Sequence, residues 1–157
     1  MRTSRTTTGN GTVVVRRNTK PANDLEWQIQ AEAVRRIKQL PGYGDEWVDG
    51  VDFTIAGDFN AARRSRQESV KAKATGIAAG EPDLRVYILG GWLRMIEFKG
   101  AKTPVSAAQK TRHKLLAGLG FDVELLRART IEEGASAAVG LVAGWLAEAR
   151  GENRRAA

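Results

Sequence analysis

The sequence predicts an α/β fold of the α+β kind, one mixed β-sheet flanked by helices in the order α-β-(α)-β-β-α-β-α. Three observations predict it. Stretches with helical apolar periodicity are separated by short strand-like runs. Gly90-Gly91 joins two such runs as a hairpin turn would, because glycine tolerates positive φ. The chain has 157 residues, and a domain of that size buries roughly 68–70% of its extended-chain surface, enough for one core. Fold class alone says nothing about function.

Residues 1–22 are rich in Thr, Gly and Arg, carry Arg2, Arg5, Arg16, Arg17 and Lys20, and have only Val13 to Val15 to pack. They predict a flexible basic arm. A single domain follows over 23–150. Asn23 is placed to cap a helix through LEWQIQAEAVRRIKQL, stopped at Pro41-Gly42, with Leu25, Ile29, Ala33, Ile37 and Leu40 as its buried stripe. VDFTIA, residues 51–56, alternates like a half-buried strand. NAARRSRQESVKAK, residues 60–73, reads as a basic loop entering a short helix capped at Ser65, ended by Gly76 and Gly80.

LRVYIL (84–89) and WLRMIEFK (92–99) form the hairpin. After the GAKTP loop a helix runs from Ser106 to about Leu119, with Ser106 and Gln109 in capping-box spacing and Gly120 closing it. FDVELL (121–126) is the last strand. Thr130 and Glu133 open a final amphipathic helix carrying Ile131, Val139, Val142, Trp145 and Leu146, and residues 151–157 are a polar tail. There is no internal repeat.

Lys and Arg number 25 against 18 Asp and Glu, a formal charge of +7. That balance favours a polyanionic partner, nucleic acid first. The absence of cysteine excludes disulfide frameworks, zinc-thiolate sites and thiol nucleophiles, so a bound metal would be held by oxygens, and it fits a reducing cytoplasm. The longest apolar stretch, Ala137 to Ala147, is short of the ~20 residues of a membrane span, and MRTSRTTTGNGT has no apolar signal core. The expectation is a soluble, cytoplasmic protein with no membrane partner.

The chemistry concentrates in the hairpin. Pro82-Asp83 opens one strand and Glu97-Phe98-Lys99 ends the next, so the turn folds the two together. Glu97 and Lys99 are two apart and project from one face. Two converging carboxylates suit Mg²⁺, a hard cation that takes a few oxygen ligands and keeps several waters. Register decides whether they converge. A two-residue Gly90-Gly91 loop sets Asp83 opposite Phe98 and turns it away from Glu97. A three-residue loop, Leu89 to Gly91, sets Asp83 opposite Glu97 and Trp92 opposite Ile88. The site therefore predicts the longer loop or a bulge.

GEPDLRVYILGGWLRMIEFKGAKTPVSAAQKTRHKLLAGLGFDVELL resembles the VRR-NUC branch of the PD-(D/E)XK nucleases. Glu26 in LEWQIQ is similar to the acidic residue on that family's first helix, the basic stretch before GIAAGEPD to its Arg/Lys-rich segment, and Ser106 to Gln109 to its Ser-x-x-Gln helix start. The likeness spans residues from about 24 to 128. Glu81 departs from it, since an apolar residue is usual before Pro-Asp. The resemblance implies a restriction-endonuclease-like fold and a standalone, phage or bacterial, Mg²⁺- or Mn²⁺-dependent endonuclease. It further implies a homodimer acting on branched DNA such as four-way junctions. By position, Asp83, Glu97 and the Phe98 carbonyl would bind the metal, and Glu26 would add a ligand directly or through water. Lys99 would position the attacking water and offset charge at the phosphorane-like transition state, and Gln109 would help orient Lys99 or the scissile phosphate.

Plainer readings stand beside these. Asp83 after Pro82 also suits a turn, and Glu97 and Lys99 an exposed edge, although burying charge within LRMIEF is costly without a partner. Glu26 also sits where a carboxylate steadies a helix N-terminus, and Gln109 where it completes a capping box. His113, the only histidine, reads as a surface or packing residue, and Trp27, Trp47, Trp92 and Trp145 as core or interface aromatics. Arg63, Arg64, Arg66, Lys71 and Lys73, extended by Lys102, Lys110 and Arg112, would grip phosphates without reading bases. The competing function is a noncatalytic nucleic-acid-binding module, such as a binder of double-stranded RNA or DNA.

Overall fold

A computed structural model describes residues 3–7, 13–17, 22–58, 70–72 and 74–156. Its elements are strands β1 (Thr3–Thr7) and β2 (Val13–Arg17), helix α1 (Ala22–Ile37), strands β3 (Phe53–Gly57), β4 (Leu84–Ile88) and β5 (Trp92–Gly100), helix α2 (Ala107–Gly118), strand β6 (Val123–Ala128) and helix α3 (Ile131–Ala156).

The main sheet has four strands in the order β3-β4-β5-β6. β3, β4 and β5 pair antiparallel as a meander, while β5 and β6 are parallel and joined through α2. This is the mixed, helix-flanked α+β sheet that the residue pattern predicts. The period of two sorts the strand residues between its faces. Leu84, Val86, Ile88, Ile96, Phe98, Leu126 and Ala128 are buried against the apolar stripes of α1 and α3. On α1 that stripe is Ile29, Ala33 and Ile37, all fully buried, with Leu25 and Leu40 packed at its ends. On α3 it is Ala135, Ala138, Val142, Leu146 and Ala149. The opposite face carries Arg85, Met95, Glu97 and Lys99, with α2 against it at the C-terminal end of β5.

Element ends differ from the expected ones for local reasons. α1 begins at Ala22 rather than at a cap on Asn23, within the one or two residues by which helix ends vary. β3 starts at Phe53, because the Asp52 and Phe53 N–H groups both donate to the Gly42 carbonyl, tying the stretch before it to the chain after α1. β6 starts at Val123, not Phe121, whose N–H closes the end of α2 on the Leu116 carbonyl. α3 continues to Ala156 through the polar tail, where Glu, Arg and Ala are intrinsically good helix formers. Of the short helix read after the basic loop, Val70 to Ala72 and Ala74 are helical, and its cap at Ser65 lies outside the described residues. Within the segment read as an arm, β1 and β2 pair antiparallel as a separate two-stranded sheet.

Candidate active site

The hairpin takes the three-residue loop. Leu84 pairs with Ile96 and Ile88 with Trp92, leaving Leu89 to Gly91 as the turn. Gly90 and Gly91 both adopt positive φ there, at 95° and 83°, which a β-branched or bulky residue would resist. In this register the residue before β4 falls across from the end of β5. The Phe98 N–H donates to Asp83 Oδ2 at 2.8 Å. Because a strand residue's N–H and C=O leave the chain on the same edge, the Phe98 carbonyl faces the Asp83 side too. Asp83 is itself anchored: its carbonyl accepts from Gln30 Nε2 and from the Asp58 N–H, each at 2.9 Å. Burial raises the Asp83 carboxyl above its usual range despite the Phe98 bond.

Glu97 is only 1% exposed and Lys99 7%. Lys99 Nζ lies 3.1 Å from Glu97 Oε1 and 3.5 Å from Glu26 Oε2. The other Glu26 oxygen accepts from the Gly100 N–H at 3.0 Å. Lys99 is thus a buried cation bracketed by two carboxylates, one from its own strand and one from α1. Desolvation, and then the neighbouring Asp83 charge, push the Glu97 carboxyl up to about 7, with Lys99 pulling the other way. The fourth wall comes from α2. Gly80, at φ 81°, brings the chain so close to that helix that a Cβ would lie 2.6 Å from the Ala108 carbonyl carbon. Nothing larger than glycine fits without displacing the helix start.

Gln109 completes the capping box and also reaches the site, where it meets Glu97 rather than Lys99. Its Oε1 accepts from the Ser106 N–H at 3.0 Å while Ser106 Oγ accepts from the Gln109 N–H at 3.2 Å, a complete capping box. Its Nε2 donates to Glu97 Oε1. The two ends are separable by mutation. Ser106→Ala should cost about 1 kcal/mol of stability, read by thermal melting, as a lost cap does. Gln109→Glu keeps the acceptor that caps the helix but sets a carboxylate against Glu97, so it should impair the site's chemistry by at least about tenfold, the effect of ~1.4 kcal/mol.

No protein-family profile matches this chain, and no curated protein matches it. Among solved structures, a protein titled "VRR_NUC domain protein" is similar at 21% sequence identity and a TM-score of 0.48, over 72% of this chain and 84% of that one.

Asp83, Glu97, Lys99, Glu26 and Gln109 line one open cleft of about 380 Å³, together with Trp27, Gln30, Gly80, Glu81, Thr103, Pro104 and Ser106. Lys71, Lys102 and Lys110 are exposed. Arg112 is engaged instead with Glu81, at 2.7 Å, and Arg85 meets the same carboxylate at 2.9 Å. Burial acts to raise Glu81, but the two guanidinium bonds outweigh it and hold the carboxyl below its usual range. The departure at Glu81 is therefore a locally neutralised charge. Arg63, Arg64, Arg66 and Lys73 lie outside the described residues.

Two residues escaped the sequence reading. His113 is not simply a surface residue: Nε2 stands 3.7 Å from Glu97 Oε2, and both atoms are buried without a hydrogen-bond partner. Burial and then Lys99 lower the imidazole, while a backbone bond to Gly80 opposes them. The usable signal was its spacing of four from Gln109, which puts both on one face of α2. Trp27, read as packing, stands 57% exposed on the cleft wall.

The oxygens fit a hard divalent cation. An orphaned buried carboxylate oxygen costs about 1–3 kcal/mol, and Glu97 Oε2 is such an atom, beside a second carboxylate whose charge already raises it. Among the described residues no three His, Asp or Glu side chains form a ready-made metal cage. Two carboxylates with the remaining positions left to water and phosphate is the arrangement Mg²⁺ favours.

Proposed function

We propose that this chain is a metal-dependent nuclease of the VRR-NUC branch of the PD-(D/E)XK superfamily, hydrolysing phosphodiester bonds in branched or otherwise structured DNA. The observation that carries the reading is Lys99, a buried cation fixed between Glu97 and Glu26 in a cleft that Asp83 also lines. Asp83, Glu97 Oε2 and the Phe98 carbonyl would hold Mg²⁺ or Mn²⁺. When bound, the cation supplies Lewis acidity to the phosphate and acidifies the attacking water.

The chain's own residues do the rest. Glu26 and Glu97 aim the Lys99 ammonium into the cleft, where it donates to the attacking water or to a phosphate oxygen and offsets charge developing at phosphorus. Gln109 holds Glu97 Oε1, leaving Oε2 for the metal. Exposed Lys102 and Lys110 flank the cleft's loop and helix and would bind neighbouring phosphates. A noncatalytic nucleic-acid binder has no use for a carboxylate buried to 1% beside a phosphate path, which favours catalysis over binding alone.

Labelled linear duplex, single-stranded, flap and four-way-junction DNA, incubated with Mg²⁺, Mn²⁺ or EDTA, provide the test. Metal-dependent cleavage lost in Asp83→Asn is the expected result, and the preferred substrate ranks junction, flap and general nucleases. Binding without cleavage of any substrate, equal in wild type and variant, would leave the binding module standing instead. One such site cuts one strand at a time, so symmetrical junction cutting needs two protomers or two visits; a homodimer is expected by light scattering.

A further inference from the structure

From the cleft's rim we infer that Trp27 is a stacking platform for an unpaired nucleobase next to the scissile phosphate, so that the substrate must carry at least one unstacked nucleotide there. The inference deepens the nuclease reading and rests on it for the position of the strand. Trp27 follows Glu26 on α1, and its indole is 57% exposed while lining the same cleft as Asp83, Glu97 and Lys99. An exposed indole is an expensive surface to leave in water. Here it adjoins a site built for a phosphate, and a nucleotide's base lies only one sugar away from its phosphate. Pro104 lines the cleft too, giving the base a second apolar neighbour.

Stacking on an aromatic side chain tolerates every base, since each has a π-face. It is closed to bases inside a duplex, whose faces are covered by their neighbours. A frayed end, a flap base or a junction centre offers one uncovered face. The cleft thereby selects for a local defect rather than for a sequence.

The test compares wild-type protein, Trp27→Ala and Trp27→Phe on a closed duplex and on the same duplex with one unpaired 2-aminopurine, in EDTA so that nothing is cut. Binding is read by anisotropy and stacking by 2-aminopurine quenching. Wild type should prefer the defect about tenfold, within the range one stacked base supplies. Trp27→Ala should lose that preference and the quenching with closed-duplex affinity unchanged, and Trp27→Phe should keep most of both. Equal preference in wild type and Trp27→Ala overturns the inference, whether or not the protein cleaves. A Trp27-dependent preference in a protein that cuts no DNA with any metal upholds it and overturns the nuclease reading instead.

Discussion

Glu97→Gln should abolish cleavage and stabilise the metal-free protein at the same time. On the proposed function, removing the carboxylate that would bind the metal and that also contacts Lys99 should cost on the order of 10³-fold or more in rate, the scale of losing a central electrostatic group. Stability moves the other way. Glu97 rises in the folded protein to about 7 from an ordinary value of 4.5, so folding prefers its protonated form. Below about pH 4.5 the carboxyl is protonated in both states and costs nothing. Between 4.5 and 7 the unfolded chain ionises first, and stability falls; above 7 the full penalty is present. At ~1.4 kcal/mol per unit, glutamine should recover about 3 kcal/mol at pH 8, or roughly 6–12 °C in melting temperature. At pH 5 the gain should fall to about 1 kcal/mol or less. Melting curves at the two pH values, with EDTA present, check the sign. An unchanged or lower melting temperature at pH 8 would mean that Glu97 is a structural partner of Lys99 and not a strained ligand.

Lys99→Met should also abolish cleavage, but with the opposite effect on the fold. The ammonium is bracketed by Glu97 and Glu26 with 7% of the residue exposed, and removing one member of a buried ion pair costs about 3–5 kcal/mol because its partner charge is left uncompensated. The loss should be largest at pH 8, where Glu97 is ionised, and smaller at pH 5, where it carries a proton. Adding Glu97→Gln to Lys99→Met should then restore part of the stability, since groups in contact couple by about 0.5–3 kcal/mol. Strictly additive losses would show that the two side chains do not share one electrostatic balance.

The register of the hairpin was legible because parity leaves only two choices, and one of them points Asp83 away from Glu97. The stripe on α1 was legible because Ile29, Ala33 and Ile37 follow the helical period without interruption. Other features depend on distances that no local pattern encodes. Glu26 and Lys99 are far apart in sequence, so whether that carboxylate steadies a helix end or brackets a cation is decided only when α1 crosses the end of β5. Gln109 looked like a choice between capping and chemistry because a sequence shows one residue, whereas the amide has two ends. The start of β6 was obscured because Phe121 fits a strand by propensity, yet its N–H closes α2. Trp27 was indistinguishable from a packing aromatic until its exposure in the cleft was visible.

Asp83, Glu97, Lys99 and Gln109 all come from one unbroken stretch of chain, the hairpin and the helix that follows it. Glu26 reaches in from the distant α1, beside Trp27 and Gln30 of the same helix. Most of the candidate centre is therefore a local product, assembled by a tight turn and a short crossover rather than by the whole domain. Such a cassette folds with little loop-closure cost. If the chain is the nuclease proposed, changes of length or charge beyond this stretch would alter which nucleic acid is held while the bond-breaking unit stays as it is.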